Sequence, residues 1–464
     1  MYNRALHRPT AIWEAQLSKD VVKRYLPHGV VLVAYLFLCV RFFHFISRYA
    51  VNILFDDPWS FDDATLFQPH TLWEMYRWQH GWHRQGLGAL LQRLFEPAIH
   101  WNGRSEALLL GTVFVGAAVL ALLLKVRLYG AVDYSDVIIP LLLLTPLQFE
   151  TLVFAPNPAC SLPLPLIVIY GSCWSIRACH WRYTCVLVVN FLLIYTGFGI
   201  FMGPVTPVIL ALDYRANIRH LGHKYQWGAA AAMAIAIASL ASFFVHYRFV
   251  GGVECFSPAP RNPVLYPWFV ALMFAHAAGL RILTLPLATL VGTFVLVLFL
   301  TGLWITGRRL LSPQSHTWPR DAAIAALLAY CAVFSLNAAY ARMCLGLMAA
   351  AISRYTPYMV LGMFGFYLYA LSNHRRNIRV SLVLFLLVFA TLSARPLNSQ
   401  EARILEQVSS GKRMWRDCYL ARHDIYECEA LTNFRIYPHP DVIPLQEKLD
   451  FLERNHLNLY DNSQ

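Results

Sequence analysis

Four aspartates follow the first long apolar stretch of this chain. Asp56, Asp57, Asp62 and Asp63 lie in the segment NILFDDPWSFDDATLF, from Asn52 to Phe67. Carboxylate pairs at a membrane edge suit three tasks. One carboxylate can take a proton from an attacking hydroxyl as a general base. Two can hold a divalent cation such as Mg2+ or Mn2+ through oxygen ligands. Either can cap a following helix. Asp56 and Asp57 abut the apolar run and are read as catalytic, and they are also the residues that would hold a metal. Asp62 and Asp63 precede the apolar-periodic stretch ATLFQPHTLWEMYRWQ, and one or the other is read as its N-cap.

Cations gather near these acids. HTLWEMYRWQHGWHRQGLGALLQRLFEPAIHW reads as amphipathic helices lying in an interface. His80 and His83 then share a face at i,i+3, with Arg84 beside them. Arg41, His44 and Arg48 fall at i, i+3 and i+7 of the first span, one stripe of one face. Such cations normally face the protein interior. Gln148 and Glu150 put polar groups at the outer end of the third span. Arg354 and Tyr355 stand just before a late span that begins at Pro357. Arginine presents a fixed, always-charged fork that suits a phosphate. Arg41, His44, Arg48, His80, His83, Arg84, Gln148, Glu150, Arg354 and Tyr355 are therefore the expected substrate-binding set. Arg48 and Arg354 are expected to share one cavity with Asp56 or Asp57. The plainer readings are interfacial snorkelling for the cations and helix packing for the stripe.

The rest of the sequence says what positions these residues. Of 464 residues 58% are hydrophobic and 14% charged, and mean hydropathy is +0.46. Apolar runs recur along the chain, which predicts an all-α, polytopic membrane bundle of about eleven spans. These fall at roughly 29–55, 105–124, 136–154, 161–177, 183–200, 203–213, 227–249, 286–306, 321–338, 356–372 and 379–394. The polar, basic first residues read as a cytoplasmic segment over 1–28 rather than a cleaved signal. The formal charge of +12 is spread over loop ends, as the positive-inside rule describes, so no nucleic-acid partner is implied. The same bias makes 264–282 a re-entrant segment rather than a full crossing. It places the acidic loop 56–104 and a polar tail, 395–464, outside. In the tail, Ile404, Leu405 and Val408 mark one side of a short amphipathic helix. Cys418 and Cys428 fit either a disulfide or two free thiols. No Cys/His spacing suggests zinc.

This layout resembles the GT-C superfamily of membrane glycosyltransferases. There an N-terminal span leads to an acidic outer loop, interfacial helices and many further spans. The chain is similar, more narrowly, to a bacterial group with three short motifs, seen here as QHGWHRQ (Gln79 to Gln85), TPLQFET (Thr145 to Thr151) and SRYTP (Ser353 to Pro357). Gly81 and Trp82 depart from the group, which has Asn and Glu there. The resemblance implies a polyprenyl-phosphate-linked sugar donor, with Asp56 or Asp57 acting near a lipid-linked or polysaccharide acceptor. It also implies the outer face of a bacterial cytoplasmic membrane. Two other classes fit the composition. One is a lipid or polysaccharide transporter, which would need ionisable groups midway along several spans. The other is a non-catalytic partner in envelope assembly, docking through 395–464.

Overall fold

The computed structural model describes residues 10–176, 179–217, 223–249, 262–280, 285–312, 317–438 and 443–461; side chains at 10–24, 217, 223 and 224 are left aside. The described chain is almost wholly helical, and its single sheet is one two-residue hairpin. Seven described helices are long and apolar enough to cross a membrane: Tyr25–Tyr49, Gly103–Tyr129, Gly197–Ala216, Tyr225–Phe243, Leu285–Leu310, Trp318–Leu345 and Arg376–Ser393. Four shorter apolar stretches join them: Tyr134–Gln148, Pro158–Trp174, His180–Ile194 and Leu265–Ala277. By length and composition, seven of the eleven expected spans are thus matched by described helices long enough to cross.

Local chemistry sets the boundaries. Asn102 caps Gly103–Tyr129, its Oδ1 accepting from the amides of Arg104 and Ser105 at 3.0 Å, and Gly130 ends that helix at φ 85°. Such left-handed C-terminal positions favour glycine. At the centre lies Thr356–Leu371, buried at every residue from Thr356 to Ala370. An apolar helix buried all round is a core element. Phe334, Tyr330 and Tyr358 pack against one another beside it, with ring centres 4.5–6.4 Å apart.

Several expected boundaries move. The first helix runs Thr10–Tyr49, continuing through Pro27, and ends before residue 55. The short span expected at 203–213 belongs to a 20-residue helical stretch, Gly197–Ala216. Leu265–Ala277 is a 13-residue helix, about 20 Å long at 1.5 Å per residue. Near its start, the Tyr266 ring lies 6.4 Å from that of Tyr340. Just past its end, Gly279 O accepts from Arg395 Nε at 3.1 Å and Nη2 at 3.0 Å. Residues 281 and 282 of the expected re-entrant segment lie outside the described residues.

The tail folds. Ser399–Arg422, Ile425–Thr432 and Leu445–Arg454 are helices, and Cys418 and Cys428 form a disulfide with a Cα–Cα distance of 5.7 Å. The first of these is far longer than the expected short helix. Its buried side is Leu405, Ser409, Lys412, Trp415 and Tyr419, whereas Ile404 is 40% exposed. Trp415, Tyr419, Leu449 and Leu452 share a second core with Val51, Ile53, Leu54 and Trp59. The tail thus packs onto the loop that carries the aspartates.

Candidate functional site

Past Tyr49 the chain crosses to Asp56, whose φ of 62° is left-handed. Aspartate tolerates that region better than most residues. Pro58 then starts a four-residue helical turn, Pro58–Phe61, with Asp57 as its N-cap residue. The Asp57 carbonyl accepts from the amides of Ser60 (3.1 Å) and Phe61 (2.8 Å), and its carboxylate makes no capping bond. That leaves the carboxylate to point elsewhere.

It points into a cavity of about 500 Å³. Asp57, His80, His83, Arg342 and Arg354 line its polar side; Phe198, Phe201, Phe334, Leu345 and Ile352 line its apolar side. Asp57 Oδ2 lies 3.7 Å from Arg354 Nη1, and Oδ1 lies 3.8 Å from His80 Nε2. The other side of Arg354 meets Glu150, whose Oε2 accepts from the Arg354 amide at 2.9 Å and sits 3.6 Å from Nε. Ser353 locks this arrangement. Its hydroxyl donates to Leu147 O at 2.7 Å and accepts from the Glu150 amide at 3.2 Å. The segments TPLQFET and SRYTP therefore meet in space.

The acids differ electrostatically. Burial pushes the Asp57 carboxyl up, but its His80 contact and the charges of His80 and Arg354 outweigh this and hold it below the usual range. Burial, and then the charge of Asp57, raise Asp56. Burial lowers the Arg354 guanidinium, but the charges of Glu150 and Asp57 more than reverse that and hold it above its ordinary value. Adjacent acids pushed apart in this way mark candidate acid–base sites.

His80 and His83 are not on one helix face. They face each other across the hairpin formed by Gln79–His80 and His83–Arg84, because Gly81, with φ 54°, turns the chain between them. His83 packs against Phe198, the rings tilted with centres 4.4 Å apart, and its buried Nδ1 has no hydrogen-bond partner among the described residues. Burial, then the nearby cations, push this imidazole down to about 4, so it is neutral at physiological pH.

Other expected site residues are engaged elsewhere. Asp56 does not line the cavity; its amide donates to Ile436 O of the tail at 2.9 Å. Arg41 Nη1 donates to Ala394 O at 2.6 Å. His44 and Arg48 are exposed and absent from the cavity lining, so the stripe does not enter the site and Arg48 does not share the cavity. The buried side of the first helix is Leu38, Phe42 and Ile46, which turns those two cations outward. Arg84 lines the cavity, but each guanidinium nitrogen already donates to a carbonyl: Phe243 at 2.9 Å, Val245 at 2.8 Å and Arg77. It braces the hairpin. Gln148 is buried and donates to Leu143 O at 2.8 Å, away from the cavity. Tyr355 is a lining residue.

Asp62 and Asp63 are not helix caps. Thr71 caps the next helix, Leu72–Tyr76, in a capping box with Glu74. Asp62 is instead buried against Gln92, whose Nε2 lies 3.3 Å from Asp62 Oδ1 and 3.4 Å from Glu106 Oε1. Burial raises Asp62 to about 7. Asp63 pairs with Lys448 of the tail at 2.7 Å.

The carboxylate in the cavity faces a guanidinium and an imidazole, the Asp56 amide bonds the tail, and no cluster of three ligating groups occurs among the described residues. Sequence reasoning missed Arg342 as a lining residue and both tail lysines. Arg342 had a signal, an arginine at the outer end of an expected span. The lysines had none, because only the fold brings them to the loop. No protein-family model and no curated protein matches this chain.

Proposed function

We propose that the cavity transfers a sugar from a polyprenyl-phosphate donor to a lipid-linked or polysaccharide acceptor, at the outer face of a bacterial cytoplasmic membrane. The observation that carries the reading is the contact of Asp57 with Arg354 inside a cavity that is charged on one side and aromatic on the other. An isoprenoid phosphate has the same two-part chemistry. The apolar wall takes the chain and Arg354 takes the phosphate.

The steps balance simply. Asp57 takes the proton of the acceptor hydroxyl. The oxygen attacks the anomeric carbon as that carbon's bond to the phosphate oxygen breaks. The polyprenyl phosphate leaves as an anion beside Arg354. Fixed charge at a developing anion is often the largest catalytic contribution. In the resting site Asp57 is a weak base, because Arg354 and His80 hold it low. A bound phosphate that engages Arg354 removes that restraint and adds negative charge, so donor binding raises the basicity of Asp57.

The membrane frame of this proposal has eleven crossings and a re-entrant Leu265–Ala277. The four shorter apolar stretches and Thr356–Leu371 would cross or dip within the bundle. The contacts at both ends of Leu265–Ala277, with Tyr340 and Arg395, support the re-entrant part. The Cys418–Cys428 disulfide supports an oxidising side for the tail and the cavity.

The test is the lipid that the protein retains. Purified wild-type protein should carry a polyprenyl phosphate, Arg354→Ala should lose it, and Asp57→Asn should keep it without turnover. Recovery of bulk phospholipid alone from all three would remove the reading.

A further inference from the structure

We propose that Lys412, on the C-terminal segment, is a positioning residue of this site: it ties the loop carrying Asp57 to the turn carrying Glu150, and so fixes Asp57 against Arg354. The inference rests on the reading of Asp57 and Arg354 as the working pair.

Lys412 is 1% exposed, on the buried side of the Ser399–Arg422 helix. Its Nζ donates to Val153 O at 3.1 Å and to Phe154 O. Those are the last residues of the π-helical turn Glu150–Phe154, whose first residue holds Arg354. Carbonyls at a helical end need donors from outside the helix. The same Nζ stands 4.5 Å from the centre of the Phe55 ring, one residue before Asp56. Burial lowers Lys412 to about 7, and the Asp56 charge opposes this. One ammonium group thus touches both segments that meet in the cavity.

The surrounding tail makes the same junction. Ser409 Oγ donates to Tyr49 O at 2.7 Å, where the first helix ends. Phe434 stacks on Phe55 with ring centres 5.5 Å apart, and Ile436 O receives the Asp56 amide. A buried ammonium is costly unless it is paired and hydrogen-bonded. An aliphatic side chain would fill the position without that cost but would join nothing. The left-handed Asp56 backbone, which aims Asp57, persists only where its surroundings hold it.

The experiment follows carboxyl chemistry rather than turnover. The full chain in lipid nanodiscs is labelled with a water-soluble carbodiimide and glycine ethyl ester between pH 4 and 8, and each site is read by peptide mass spectrometry. Lys412→Met removes the charge and keeps the length. Asp57 should then part from Arg354 and His80, and its protonation midpoint should rise. Labelling of Asp57 at neutral pH should increase about ten-fold for each pKa unit of that rise. Arg416→Met, which removes a cation of the same helix that pairs with Asp417 instead, should leave Asp57 as in the wild type. A shift confined to Asp56 would show a through-space charge effect and overturn the positioning role. An unchanged Asp57, or an equal shift in Arg416→Met, would overturn it too. If Lys412→Met does not accumulate, Lys412→Leu, which likewise neither donates to the Val153 and Phe154 carbonyls nor carries charge, is read the same way. The labelling needs no sugar, so it can succeed or fail independently of the proposed transfer.

Discussion

Removing the Arg354 guanidinium should release Asp57. In Arg354→Gln the ion pair at 3.7 Å disappears while the backbone contact of residue 354 with Glu150 can persist. At that separation, an effective dielectric of about 20 gives a gross attraction of about 4 kcal/mol. The side chains of Arg354 and Asp57 are 38% and 37% exposed, so solvent screening reduces the net effect to about 1 kcal/mol. That corresponds to somewhat under one pKa unit. The direction follows from the resting state. Asp57 lies below its ordinary value, so its ion-pair stabilisation is present above the unfolded pKa and is lost as pH falls through the folded one. Without Arg354 the folded value moves up toward the unfolded one, and the acid limb of any activity that needs ionised Asp57 moves up with it. Aspartate 13C-carboxyl NMR would measure the titration directly, with the Asp57 signal assigned by its loss in Asp57→Asn. If the Asp57 midpoint in folded Arg354→Gln equals that of the wild type, the two groups are not coupled and the electrostatic basis of the site is wrong.

Two further outcomes follow from the neighbouring elements. Asp62 is raised to about 7 by burial, with the Gln92 contact and Lys448 opposing and Asp63 adding to it, so the native state binds a proton that the unfolded chain releases near pH 4. Stability should therefore fall as pH rises through 5 to 7, and Asp62→Asn should flatten that fall and raise Tm at pH 7.5, as read by thermal scans of the protein in detergent. Gly86 has φ 52°, and a Cβ there would stand 1.5 Å from Tyr195 O. Gly86→Ala should strip the hairpin from its seat, seen as loss of folded protein in the membrane fraction, whereas Gly81→Ala, with open space around it, should meet the left-handed backbone strain alone, about 1–2 kcal/mol, and lose less.

The apolar runs made the helical bundle legible, and the residue types made one contact legible. Asp57 and Arg354 were singled out because a carboxylate and an arginine at outer span ends are costly to leave without a task. The hairpin was misread for a definite reason. Trp73, Tyr76 and the leucines repeat at helical spacing on both sides of it, and the two glycines that break the pattern carry no periodicity signal. Gly81 and Gly86 at positive φ were the available clue. Asp62 was misread because a surface cap and a buried acid look alike in sequence. Only Gln92 and Glu106, brought in from other elements, distinguish them. The tail was read as polar because its buried side mixes Ser409 and Lys412 with Leu405 and Trp415, which hides a core stripe from any hydropathy count.

How the site is balanced depends on which second acid accompanies Asp57. The sequence offered Asp56 as the second acid beside Asp57, since the two adjoin. Adjacent residues on an irregular loop seldom aim the same way, and here Asp56, at a left-handed turn, stays out of the cavity lining while its amide bonds Ile436 O of the tail. The second acid at Arg354 is Glu150, from the end of another apolar segment. Arg354 thus stands between two carboxylates, both at ion-pair distances beyond 3.5 Å. Contacts of that length leave room for closer ones. A phosphate that bonds the guanidinium at about 2.8 Å would outcompete both carboxylates for it. An arginine held loosely by two acids is oriented while the cavity is empty of anion and available when one arrives. A single tight carboxylate partner would orient it as well but would have to be displaced.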